Sequence, residues 1–293
     1  LRPFPATWPS PSNMRSYKLT LAYDGTHFTG WQRQPGRRTV QGVLEKVLGK
    51  VLQEEVRCMS SGRTDSGVHA LAQIGGYQSA TRHPPEAILK ALNAELPEDL
   101  FVFDVGEVSP EFHPIKDAVR KRYRYIIQDG RVRDIFDRQY VWQVFRRLDV
   151  ELMQQAAKHL VGTHDFQSFE SHGSSRLTTI RTIYDLLVER REAERTDRVI
   201  IEVEADGFLY NMVRNIAGTL MLIGKGNHSP DWPLEILAAG RGWCDQGANV
   251  FDQLARTLPL DARLVFLRDE KGRSPHSVAE VYFDGEWRVV DTL

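Results

Sequence analysis

The sequence predicts an α+β protein whose mainly antiparallel sheet is built in two related halves. Three observations carry that expectation. Segments of alternating apolar residues and segments of helical apolar spacing follow one another along the chain. Some strands succeed each other with no helix between them, which favours antiparallel pairing. The order of elements in residues 17–108 also returns in 119–223, as a repeat of architecture that sequence identity does not reveal.

The elements follow in order. Residues 1–16 are rich in Pro and Ser, read as a disordered leader, and lack the apolar core of a signal peptide; Leu1 and Met14 are the two candidate starts. Tyr17, Leu19, Leu21 and Tyr23 alternate with polar residues and predict a strand ended by Asp24-Gly25. Val40, Val43, Leu44, Val47, Leu48, Val51 and Leu52 predict a helix capped by Thr39. A short strand at 56–59 meets a glycine-bounded polar loop at 61–69. A helix is predicted at 85–95 behind Pro84-Pro85, then strands at 100–108 and 119–128 and a helix at 149–161. Strands at 178–189 and 198–205 and a helix at 208–223 complete the second half. The expected division is 1–16, 17–110, 111–240 and a tail of 241–293.

Composition narrows the function classes. The 293 residues are 41% hydrophobic and 26% charged, with a formal net charge of −1, which argues against a disordered or fibrous chain. No stretch approaches the 18 apolar residues that a membrane-spanning helix needs. Cys58 and Cys244 are the only cysteines, so no disulfide framework or four-cysteine zinc site is available, and a reducing, cytoplasmic setting is expected. Residues 1–240 carry a net charge of +1 and residues 241–293 one of −2. Charge is nonetheless concentrated at Arg120, Lys121, Arg122 and Arg124, and a local basic face is enough to meet a polyanion.

Three segments carry candidate chemistry. GRTDSGVHA at 62–70 frames Arg63, Thr64, Asp65 and Ser66 between glycines. A carboxylate on a tight loop after a strand suits catalysis, and it equally suits an Asp/Ser turn with a solvated ion pair. In KRYRYII at 121–127, Lys121, Tyr123 and Tyr125 share one strand face, while Arg122, Arg124 and Ile126 share the other. Tyr123 can stack on a base while the cations hold phosphates, or the charges can simply discourage edge-to-edge pairing. In FLYNMVRNIAGTLMLIG at 208–224, Arg214 stands in an otherwise uncharged run and calls for a carboxylate partner. His69, His113 and His164 show no metal-ligand spacing and read as loop or core residues.

Together these segments resemble the bacterial TruA-type tRNA pseudouridine synthases. LAYDGTHFTGWQRQP (21–35), Gln41-Gly42, GTHDFQSF (162–169) and TIRTI (179–183) extend the resemblance, in the same order, over about residues 14–240. It implies two ferredoxin-like halves forming a mainly antiparallel sheet with flanking helices, a homodimer, and tRNA as partner. The implied reaction cleaves the N1–C1′ bond of a uridine at position 38–40 of the anticodon arm, turns the base and joins C5 to C1′. It implies neither metal nor organic cofactor. Asp65 corresponds to the family's essential aspartate, acting at C1′ much as a glycosidase carboxylate does. Arg63 corresponds to the arginine that fills the place of the flipped nucleotide, Tyr123 to the tyrosine stacked on the uracil, and Arg214 to the arginine paired with the catalytic carboxylate. Charge alone adds Lys121, Arg122 and Arg124 as contacts to the RNA backbone.

Two departures stand out. Pro114-Ile115-Lys116 replaces the family's usual Ala-Arg-Phe after Phe112-His113, and the family's closing strand has no counterpart after Arg241. Residues 241–293 instead resemble a transglutaminase-like (papain-like) core fragment. Cys244 would open a helix, with His276 and Asp291 following at intervals of 32 and 15 residues. A structural remnant fits the same pattern. The sequence therefore leaves two rivals to the isomerase: a tRNA-binding protein with impaired catalysis, and a thiol acyltransferase or protease centred on Cys244.

Overall fold

A computed structural model describes residues 13–171, 178–192 and 197–240, together with the backbone of three strands beyond 260. The chain separates into two compact units, residues 1–118 and 119–293.

The first unit runs β1 (Arg15–Tyr23), α1 (Val40–Leu52), β2 (Cys58–Ser60), β3 (Ala70–Ser79), α2 (Pro85–Glu95) and β4 (Leu100–Val108). The strands pair antiparallel in the order β2-β3-β1-β4. This is the ferredoxin-like split βαβ pattern. Tyr17, Leu19, Leu21 and Tyr23 on alternate positions of β1 are buried against Leu44 and Leu48 of α1 and Ile88 and Leu92 of α2. The Tyr17 ring stacks on Tyr77, its partner across the β1–β3 ladder, at 5.1 Å. The predicted cap of α1 is present: Thr39 Oγ1 accepts from the Gly42 N–H. Arg15 and Ser16, read as leader, belong to β1; residues 1–12 lie outside the described residues.

The second unit runs β5 (Lys121–Asp129), β6 (Trp142–Val144), α3 (Val150–Lys158), β7 (Gly162–Asp165), β8 (Ile180–Arg191), β9 (Arg198–Ala205), α4 (Met212–Gly224) and α5 (Trp232–Ala239). Its strand order is β6-β5-β9-β8-β7. All ladders are antiparallel except β5–β6, which joins only Ile127–Asp129 to Trp142–Val144. Leaving out the added β6 and β7, the order β5-α3-β8-β9-α4 repeats the first five elements of the first unit, and the short β6 stands beside β5. The core packs the inner face of this sheet against α3 and α4. Beneath it Arg190 forms a bidentate pair with Asp129, whose side chain is 0% exposed and which also accepts from the Leu148 N–H.

Two elements depart from expectation for local reasons. β3 has no clean alternation because Gly75 and Gly76 lie at its centre; a Cβ on Gly76 would stand 2.7 Å from Pro114, so the strand keeps glycine where another segment crosses it. The helix predicted at 208–223, α4, starts at Met212 and not at 208, because Asn211 takes a left-handed conformation (φ 58°) that ends the preceding turn. Beyond 260, β10 (Asp261–Leu267), β11 (His276–Phe283) and β12 (Glu286–Val290) form an antiparallel meander. The predicted helix behind Cys244 lies outside the described residues.

Candidate active site

In the first unit, the polar loop between β2 and β3 is held by a segment from much earlier in the chain, residues 23–31. The loop's near end is fixed by Ser60 Oγ and Gln73 Nε2, which both donate to the Gly62 carbonyl, and by Ser61 N–H, which donates to Ile74. At its middle, the Trp31 N–H donates to the Thr64 carbonyl at 3.0 Å, and Thr64 Oγ1 is 2.9 Å from the hydroxyl of Tyr23. Ser66 Oγ and Gly67 N–H donate to the Phe28 carbonyl. The Val68 N–H closes a turn onto the Asp65 carbonyl. Arg63 and Asp65 themselves are exposed. The flanking backbone is thus fixed on both sides while the two charged side chains face outward.

Close approach explains why this pairing needs glycine. A Cβ on Gly25 would lie 2.1 Å from the Val68 carbonyl oxygen, and one on Gly30, whose φ is +74°, would lie 2.7 Å from the Thr64 oxygen. Gln41, in the first turn of α1, extends the support. Its Oε1 accepts from Gln32 Nε2 and the Arg33 N–H, and its Nε2 donates to Glu45 and to the Cys58 carbonyl. Glu45 also accepts the Cys58 N–H. Burial pushes the Cys58 thiol well above its ordinary range, which marks it as inert.

In the second unit, β5 presents Tyr123 and Tyr125 on the face turned toward α4. Tyr123 meets Phe208 edge-on at 5.0 Å, and Tyr125 meets Trp142 edge-on at 5.9 Å. Arg214, in the first turn of α4, lies near enough to the Tyr125 hydroxyl for its charge to act on it. Burial raises the pKa of that hydroxyl and the neighbouring Arg214 charge opposes the rise, so Tyr125 stays neutral. Sequence reasoning gave Tyr125 a place on the strand face but no part in the site; its spacing of two from Tyr123 was the available signal.

The cations on the opposite face are arranged differently from a bare phosphate-binding strip. Arg122 stands across from Glu204 and pairs with it at 2.8 Å, Arg120 joins the same carboxylate at 2.9 Å, and Arg124 pairs with Glu202. Arg122 and Arg120 hold the Glu204 carboxyl below its usual range. Two of the three cations expected on RNA are therefore matched by carboxylates of β9. The three histidines serve local structure: His113 Nδ1 accepts from the Ile115 N–H, His164 Nε2 lies 3.1 Å from the Val161 carbonyl, and His69 meets Asp24 and Gly25. The GTHDFQSF segment supplies core, with Phe166 and Phe169 buried and the Phe169 carbonyl accepting from Asn215 of α4.

Comparisons with known proteins identify the family. The model of a family described as tRNA pseudouridine synthase matches residues 20–114 and 156–250. The tRNA pseudouridine synthase A of Thermoanaerobacter sp. (strain X514) is 45% identical over 224 residues, covering 76% of this chain and 90% of that protein. The tRNA pseudouridine synthase A 2 of Clostridium perfringens is 40% identical over 227 residues (78% and 91%), and the tRNA pseudouridine synthase A of Pelobacter propionicus is 42% identical over 225 residues (76% and 91%). The second family match runs to residue 250 and so takes in Cys244. The expectation of a separate transglutaminase-like unit from 241 onward is unsupported: its cysteine falls inside the matched stretch. Cys244 and Asp291 lie outside the described residues, and His276 is known only as the first residue of β11.

Proposed function

Because the chain belongs to the tRNA pseudouridine synthase family, we propose that it isomerises uridine to pseudouridine in the anticodon arm of tRNA, at positions 38–40. The observation that carries this reading is the glycine-bounded loop that presents Asp65 and Arg63 outward from a backbone fixed on both sides. Asp65 is the group that acts at C1′ when the N1–C1′ bond breaks; carboxylates perform the equivalent task at glycosidic carbon in sugar hydrolysis. Arg63 fills the space left by the extruded nucleotide. Tyr123, braced edge-on by Phe208, stacks on the uracil. Arg214 takes the role the resemblance gives it, the arginine partner of the reacting carboxylate. Lys121 remains a contact for the RNA backbone, whereas the carboxylate pairing of Arg122 and Arg124 assigns them chiefly to the sheet. The reaction moves atoms within one nucleotide and calls for no redox partner or organic cofactor. A cytoplasmic homodimer is the form in which we expect the enzyme to act.

The test is release of tritium from tRNA carrying 5-³H-uridine, with the intact protein beside Asp65→Asn and Cys244→Ala. Release by the intact protein and by Cys244→Ala, with none from Asp65→Asn, supports the isomerase. Absence of release from folded, tRNA-binding protein overturns it. Activity that disappears on alkylation of Cys244 would favour the thiol chemistry instead.

A further inference from the structure

Asp24 and His69 meet directly beyond the last rung of the β1–β3 ladder, Tyr23↔Ala70. His69 Nδ1 lies 3.0 Å from Asp24 Oδ1 and 3.1 Å from the Gly25 nitrogen. The ring is thereby held in either tautomer: Nδ1 accepts from the Gly25 N–H or, where it carries the hydrogen, donates to the carboxylate. Asp24 is itself fixed. Its N–H donates to the Asp99 carbonyl, and its Oδ1 accepts from the N–H and the hydroxyl of Thr26. On the other side, His69 follows Val68, whose carbonyl packs on Gly25 and whose N–H closes the turn onto Asp65. β3 also carries one extra residue between Gln73 and Ala70, a bulge of the kind that re-aims the chain beside a site.

We propose that Asp24 and His69 are positioning residues that fix the exit of the 61–69 loop and thereby the direction in which Asp65 points. The kinetic part of this inference rests on the isomerase reading above. Both side chains are about one-third exposed, at 34% and 33%, and ion pairs at such exposure add little to global stability. Their effect on geometry is much larger, because misplacing a reacting group by about 1 Å costs on the order of 100-fold in rate.

The experiment compares full-length His69→Ala, Asp24→Ala and His69→Asn with the intact protein. An Asn side chain carries an amide of similar reach to Nδ1, with both a donor and an acceptor. Four quantities are measured: kcat, tRNA Kd, Tm, and hydrogen exchange of the peptide spanning 61–69. The expected result is a fall in kcat of about 10- to 100-fold in both alanine variants, with tRNA Kd within about twofold. Exchange across 61–69 should quicken in the same two variants, and His69→Asn should recover most of the loss on both readouts. Asp24→Ala combined with His69→Ala should be no worse than the weaker single variant. Unchanged kcat and exchange in His69→Ala would overturn the proposal, as would losses in kcat and tRNA affinity of equal size, which mark a merely structural role. If the intact protein releases no tritium, exchange decides alone. Faster exchange rescued by asparagine then upholds the clip while the isomerase falls, and unchanged exchange overturns both.

Discussion

Replacing Gly30 with alanine separates the contribution of backbone conformation from that of the contact with Thr64. Gly30 and Gly36 both have positive φ, +74° and +68°, yet a Cβ on Gly30 would meet the Thr64 carbonyl oxygen at 2.7 Å while one on Gly36 would meet nothing within 4 Å. The conformational cost of a side chain in the left-handed region is shared, at about 1–2 kcal/mol. Relief to an ordinary contact of 3.4 Å moves the Thr64 carbonyl in Gly30→Ala by about 0.7 Å, one residue from Asp65. A displacement of that size near a reacting group costs about 10- to 100-fold in rate. Both variants should therefore lose about 2–8 °C of Tm, with Gly30→Ala at or beyond the upper end. Single-turnover tritium release should fall at least about 10-fold in Gly30→Ala and stay within about twofold in Gly36→Ala. Equal rates in the two variants would refute the claim that the 23–31 segment sets the position of the loop.

Other outcomes follow from the same geometry. Tyr125→Phe removes the hydroxyl that lies beside the Arg214 charge, so kcat should fall by up to about 10-fold, or about 1.4 kcal/mol, with tRNA affinity unchanged in filter binding. Arg122→Ala and Arg124→Ala remove cations already matched by Glu204 and Glu202; the salt slope of tRNA binding should change by less than the unit expected for a lost phosphate contact. Asp129→Asn leaves the Arg190 charge without its partner and should cost about 2–3 kcal/mol in chemical denaturation. The Asp129 carboxyl is held below its ordinary range, because Arg190, the Leu148 N–H and Arg147 together outweigh the cost of burying it. Its contribution is thus full above the ordinary carboxylate range and is lost as pH falls through the lowered value. The stability gap between the intact protein and Asp129→Asn should accordingly narrow on acidification.

Much of the first unit is legible residue by residue. The apolar spacing from Val40 to Leu52 and the Thr39 cap define α1 with the bounds seen in the structure, and the alternation of Tyr17, Leu19, Leu21 and Tyr23 places β1 with its buried face correct. β3 escaped because its pattern answers to a crossing segment at Gly76 and not to the pleat. Apolar periodicity places the start of α4 too early, because a left-handed Asn211 leaves no trace in it. In the site, GRTDSGVHA named the candidate residues, but its attachment to residues 23–31 did not show. Hydrogen bonds such as Trp31 to Thr64 join backbone groups that every residue possesses, so side-chain identity does not report them. The opposite happened at Arg122 and Arg124. Their charge was plain, and only strand pairing could reveal that Glu204 and Glu202 stand across from them.

The union of the loop with residues 23–31 has a consequence for how activity is acquired. GRTDSGVHA has almost no apolar surface of its own, and its order is borrowed from a segment some 35 residues upstream through contacts that exist only when β1 lies beside β3. Such non-local contacts form late, after the intervening chain has closed its loop. A folding intermediate with α1 and α2 in place but β1 unpaired would carry every residue of the motif and no capacity for reaction. A polypeptide beginning at Trp31 would be in the same condition permanently. On the proposed reading of Asp65, the loop's part in catalysis therefore depends on a junction between two distant stretches, completed by the closing of one pair of strands.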